Sequence, residues 1–185
     1  MSTASRLATF CLLLLLAACS TSMPRPRTAD EQRLFGPVSM KIDLFSKVKD
    51  WSGDNKPDGV ECLVEFDDRF GDRTKADGTI LFELFDYRMG FADPRGHRLA
   101  NPWTAALLTF DQQKAHWDSA AGAYGFRLQY DQAQWDRDYV LTATFDSADG
   151  NRFFSRVVLR KQEPENSVEP TTQPESGLGH RAPAP

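Results

Sequence analysis

The sequence predicts an all-β protein: a single antiparallel β-sandwich of about seven strands with one short helix. Three observations point there. Between Leu34 and Lys161, apolar residues recur at every second position in run after run. Asp-Gly pairs, at Asp77-Gly78 and Asp149-Gly150, sit where hairpin turns need positive φ. Only Gln112 to Trp117 reads as helix. Successive strand side chains point to opposite faces, so each alternating run gives a sheet one apolar face.

The first run is Val38, Met40, Ile42 and Leu44, alternating with Ser39, Lys41 and Asp43. The second is Val60, Cys62, Val64 and Phe66, with Glu61 and Glu65 between. Ile80, Phe82 and Leu84 make the third, and the apolar neighbours Leu81 and Phe85 predict burial on both of its faces. Thr104 to Phe110 reads as a further strand. Tyr124, Phe126, Leu128 and Tyr130 follow, spaced by Gly125, Arg127 and Gln129. Tyr139, Leu141, Ala143 and Phe145 lead through Asp149-Gly150 to Phe153, Val157 and Leu159.

The segment Asp136-Arg137-Asp138-Tyr139-Val140-Leu141 resembles the tyrosine corner of immunoglobulin-like sandwiches, with Leu141 at the place of the second cysteine. The resemblance implies a phenol hydrogen-bonded to backbone a few residues upstream, fixing the crossover. An ordinary core tyrosine fits the same residues. The domain therefore reads as immunoglobulin-like or transthyretin-like, with its strand order open.

The chain ends read differently. Arg6, the apolar block Leu12 to Leu16 and the small residues after it form a secretory signal peptide over residues 1–18, too short to span a bilayer as a permanent helix. Its ending, Leu16-Ala17-Ala18-Cys19, resembles the lipobox of bacterial lipoproteins. That resemblance implies lipidation of Cys19 and cleavage just before it. In Gram-negative relatives, Ser20 rather than Asp after the cysteine favours the outer membrane. One acyl chain of about 14 carbons binds only marginally at about 0.8 kcal/mol per methylene, whereas the two or three chains of the family make a lasting anchor. Residues 19–33, polar with Pro24 and Pro26, read as a flexible tether. Residues 162–185, rich in Pro, Glu, Thr, Ser and Gly, lack the apolar area to offset ordering entropy and read as a disordered tail. Residues 34–161 are left as one domain with one core.

The formal net charge is -4. Much of the excess lies in the tail, with Glu163, Glu165, Glu169 and Glu175 against Arg181. The rest is a mixed, nearly neutral surface, which argues against a nucleic-acid partner. Of three cysteines, Cys11 leaves with the signal and Cys19 takes lipid, so Cys62 has no internal disulfide partner.

One loop carries a ligand pattern. Calcium takes six to eight oxygens, and a twelve-residue loop offers them at positions one, three, five, seven, nine and twelve. From Asp50 these are Asp50, Ser52, Asp54, the Lys56 carbonyl, Asp58 and Glu61. The segment is similar to the Asp-rich, Pro-Asp-Gly calcium loops of thrombospondin type 3-like repeats. It departs from them at Ser52, at Asn55 in place of glycine, and in having no second copy. A polar turn between strands accounts for the same composition.

Other constellations are thinner. Cys62 with His116 as base would suit a nucleophile, but Cys62 falls on the apolar phase of its run. His97, His116 and His180 form no ligand spacing. Asp67, Asp68 and Asp111 read as strand ends and a helix cap rather than paired acid and base. Trp103, Trp117 and Trp135 read as packing or as a sugar platform. The expectation is a non-enzymatic lipoprotein anchored at the outer membrane and facing the periplasm, an interaction or envelope-assembly module that meets an envelope protein partner. The alternative is a carbohydrate-binding module, assisted by calcium.

Overall fold

The computed structural model describes residues 34–163. The signal peptide, Cys19, the tether, His180 and the tail beyond residue 163 lie outside the described residues. Ten strands and one helix follow in order: β1 (Ser39–Ile42), β2 (Lys47–Lys49), β3 (Gly59–Asp67), β4 (Gly78–Tyr87), β5 (Arg95–Arg98), β6 (Trp103–Ala106), α1 (Phe110–His116), β7 (Trp117–Asp118), β8 (Ala123–Gln129), β9 (Tyr139–Ser147) and β10 (Arg152–Leu159). They form two antiparallel sheets, the expected all-β sandwich. One sheet runs β1-β3-β8-β7, with β2 continuing along β3 after β1 ends. The other runs β10-β9-β4-β5, with β6 on the same side of β4 as β5 but beside its first half.

The inward side chains are the ones the alternation selects. Val60, Cys62, Val64 and Phe66 of β3 and Tyr124, Phe126 and Leu128 of β8 face Ile80, Phe82 and Leu84 of β4 and Tyr139, Leu141, Ala143 and Phe145 of β9. Aromatic rings join the layers, Phe66 against Phe145 at 4.7 Å and Phe82 against Phe126 at 4.9 Å between centroids. Each fully buried Phe or Leu contributes about 1.5–3 kcal/mol of transfer free energy.

Several expectations are corrected. Leu44 is 83% exposed, because β1 stops at Ile42 and Asp43 turns the chain by accepting the Phe45 N–H at 2.7 Å. β4 is buried on one face only: Leu81 is exposed, and Phe85 lies half-buried beneath the Arg95 guanidinium. The expected strand to Phe110 ends at Ala106, and α1 starts at Phe110 rather than Gln112. Its N-cap is Thr109, not Asp111: the Thr109 hydroxyl accepts the Gln112 N–H while the Gln112 side chain accepts the Thr109 N–H.

Gly78 makes no turn. It opens β4 opposite Ser147, and a Cβ there would meet the Asp146 carbonyl oxygen at 2.3 Å. Close backbone approach, not positive φ, requires this glycine. Gly150 does have φ +89° and turns the β9–β10 hairpin. At the other end of the domain, Gln162 donates its N–H to the Trp135 carbonyl at 2.7 Å.

Candidate interaction surface

The Asp50 to Glu61 segment links β2 to β3. Its carboxylates are turned onto the loop's own backbone. Asp50 accepts N–H groups from Gly53 at 2.6 Å and Asn55 at 2.8 Å, and the Ser52 hydroxyl at 3.1 Å. Asp58 accepts from Trp51 at 2.6 Å and Ser52 at 2.8 Å, and Asp54 from Lys56 at 2.9 Å. Slight burial raises the Asp50 carboxyl, but the Gly53 and Asn55 amides outweigh this and hold it below the ordinary value. Asn55 sits at φ +66°, the left-handed geometry that Asn tolerates best after glycine. Glu61 lies apart on β3, between Lys47 and Arg127 on the flanking strands. Among the described residues no group of three or more His, Cys, Asp or Glu gathers to share an ion. In this conformation the Asp50, Ser52, Asp54, Lys56, Asp58 and Glu61 set is not gathered into a calcium ring, because Asp50, Asp54 and Asp58 are turned onto loop amides. The turn chemistry that the same residues favour accounts for the loop.

The remaining candidates are structural. Cys62 is fully buried, and burial pushes its thiol upward, away from thiolate reactivity. Asp67 pairs with Arg73. Asp68 accepts the Phe70 and Asp72 N–H groups at 2.8 and 3.1 Å. His97 is exposed on β5. None of Trp51, Trp103, Trp117 and Trp135 is exposed. Trp103, Trp117 and Trp135 pack against the core, and the Trp135 indole N–H donates to the Asn55 carbonyl at 3.1 Å.

Glu65 is a feature that alternation alone misplaces. It lies on the outer phase of β3 yet is only 6% exposed, held by Lys41 at 2.9 Å and Arg73 at 2.6 Å. Lys41 is its cross-strand neighbour on β1, and Arg73 reaches it from the loop after β3; with the strand order open, neither partner was legible from sequence.

What distinguishes the surface is the edge of β8. Tyr130 donates its N–H to the Asp58 carbonyl at 2.9 Å. Antiparallel pairing alternates from there, so the main-chain groups of Leu128, Phe126 and Tyr124 face β3, and those of Gln129, Arg127 and Gly125 face away. On that far side, β7 reaches only Tyr124 and Ala123. His116 covers the next position: its Nδ1–H donates to the Gly125 carbonyl at 3.0 Å, and its ring stacks on Phe126 at 4.6 Å. Past it, among the described residues, no strand lies beside Arg127 or Gln129. An open cleft of about 410 Å³ runs there, with Glu61, His116, Trp117, Asp118 and Arg127 around Gly125.

A second depression, about 560 Å³, is lined by Leu44, Phe45, Leu63 and Val158 together with Lys47 and Arg160. Phe45 is 79% exposed there.

No protein family, no curated protein and no solved structure matches this chain.

Proposed function

We propose that the chain is a lipoprotein, held in the outer membrane through lipid on Cys19 and facing the periplasm, whose sandwich is a non-enzymatic interaction or envelope-assembly module. The lipobox Leu16-Ala17-Ala18-Cys19 carries this reading. The sandwich supports it, because its notable polar groups have structural work: Asp50, Asp58 and Asp68 cap backbone, Glu65 holds two cations, and Cys62 is sealed in the core. A partly open strand edge and exposed Leu44 and Phe45 leave surface for a partner. The carbohydrate alternative asks for exposed tryptophans, and Trp103, Trp117 and Trp135 are instead half-buried, with part of each packed against the core.

Fractionation of cells making the full chain tests the anchor. The wild type should sediment with outer membrane, and Cys19→Ala should accumulate as precursor or soluble protein. Unchanged outer-membrane retention of Cys19→Ala would remove the basis of the proposal.

A further inference from the structure

We infer that the free edge of β8, from Arg127 to Gln129, docks an extended strand of a partner protein, carrying a carboxylate opposite Arg127. This deepens the interaction-module reading above and rests on it.

The other sheet edges are managed. β1 and β2 are short and interrupted by the Asp43–Ser46 turn. β10 lies against β1, where the Ile42 N–H donates to the Ser155 hydroxyl at 2.9 Å. β5 and β6 have four residues each. β8 has seven, and among the described residues its outer side is covered only at the start, by two-residue β7 and by His116. Arg127 and Gln129 turn an amide and a carbonyl apiece away from β3, the alternating donor and acceptor row that strand addition reads. The adjoining cleft, with no side chain on Gly125, gives a side chain of the added strand a place to lie: the atom nearest to a Cβ on Gly125 would be Leu63 Cδ2, at 3.7 Å.

Charge selects the occupant. Arg127 is exposed, its guanidinium lies 5.7 Å from the Trp51 ring centroid, and although Glu61 is its cross-strand neighbour on β3, no carboxylate lies within ion-pair distance of it among the described pairs. A cross-strand neighbour on the open side would stand directly beside it, where opposite charge stabilises and like charge does not. A second copy pairing β8 with β8 would offer Arg127 either Gln129 or another Arg127. A strand with Asp or Glu at that register satisfies both the backbone row and the cation.

The test uses the full chain in the cell envelope, with photo-crosslinking benzoylphenylalanine placed singly at Gln129 on the free edge, Thr104 on β6 or Phe154 on β10. The expected result is a discrete protein adduct from position 129 alone. Arg127→Pro in the same chain removes a free N–H without touching the ladder to β3, and should cut the adduct at least tenfold. Arg127→Glu, which keeps the backbone and so covers any folding failure of the proline variant, should cut it several-fold. An adduct that survives both substitutions overturns the proposal. So does one of twice the chain's own mass, which would make the occupant a second copy. Adducts from Thr104 or Phe154 only would overturn the edge while leaving an interaction module. Absence of adducts from all three positions would overturn the module reading itself.

Discussion

The Tyr139 hydroxyl accepts the main-chain N–H of Gln134, five positions upstream, at 2.8 Å, closing a corner at the entry to β9. Tyr139 is fully buried, and burial raises its phenol above the ordinary value, so it stays protonated across the physiological range. The hydroxyl is thus a fixed acceptor at the point where the chain crosses from β8 to β9.

Tyr139→Phe should leave the Gln134 N–H without that acceptor while filling nearly the same volume. The expected loss is about 1–3 kcal/mol, the cost of an unsatisfied group. It is read as a lower denaturant midpoint at constant slope. An unchanged midpoint would mean that water or a neighbour takes over the bond.

Two glycines separate close approach from open space. Gly78→Ala drives a methyl to 2.3 Å from the Asp146 carbonyl and 2.6 Å from Phe145 Cζ, so β4 and β9 must separate. A loss of about 1–3 kcal/mol or more is expected. Gly125→Ala meets nothing nearer than 3.7 Å and should change stability by less than about 0.5 kcal/mol. Thermal melts of the two variants side by side check the contrast.

The sheets were legible because burial on one face imposes period two on the sequence. All seven expected strands are present, and the corner at Tyr139 was visible in a short local pattern. β2, β5 and β7 were not, since two to four residues at an edge have no run long enough to alternate. Gly78 was misread because an Asp-Gly pair signals a turn locally, while the crowding by Asp146 comes from a strand nearly seventy residues away. The 50–61 loop shows the same limit. Turn capping and ion binding use the same residue types, and only the directions of Asp50, Asp58 and Glu61 tell them apart. The open edge of β8 depends on where β7 stops, which no spacing encodes.

Acid should weaken the native state through depressed carboxylates. Hydrogen bonds from Arg95 pull the Asp93 carboxyl down to about 2 from 3.8, with Arg156 adding to the effect. Asp50 is also lowered: desolvation pushes its carboxyl up, and the hydrogen bonds from Gly53, Asn55 and Ser52 together outweigh that. A lowered folded-state pKa contributes stability above the unfolded value and loses it as pH falls through the folded one. Denaturant midpoints should therefore be flat above about pH 4 and fall toward pH 2, with a shallower fall in Asp93→Asn. Identical acid limbs would show that the Arg95 pair adds nothing.

Calcium should leave the loop unmoved. Asp50 and Asp58 are occupied by backbone donors and Glu61 stands off on β3, so melts in millimolar calcium and in chelator should coincide. A separation of several degrees that Glu61→Gln removes would show that the loop rearranges into a binding ring.

The central proposal is an anchored module, and the mature N-terminus tests it most directly. Mass spectrometry of protein extracted from outer membranes should find an N-terminal peptide that begins at Cys19 and carries acyl chains. A mature terminus at another residue, with Cys19 removed or carrying a free thiol, would contradict the account.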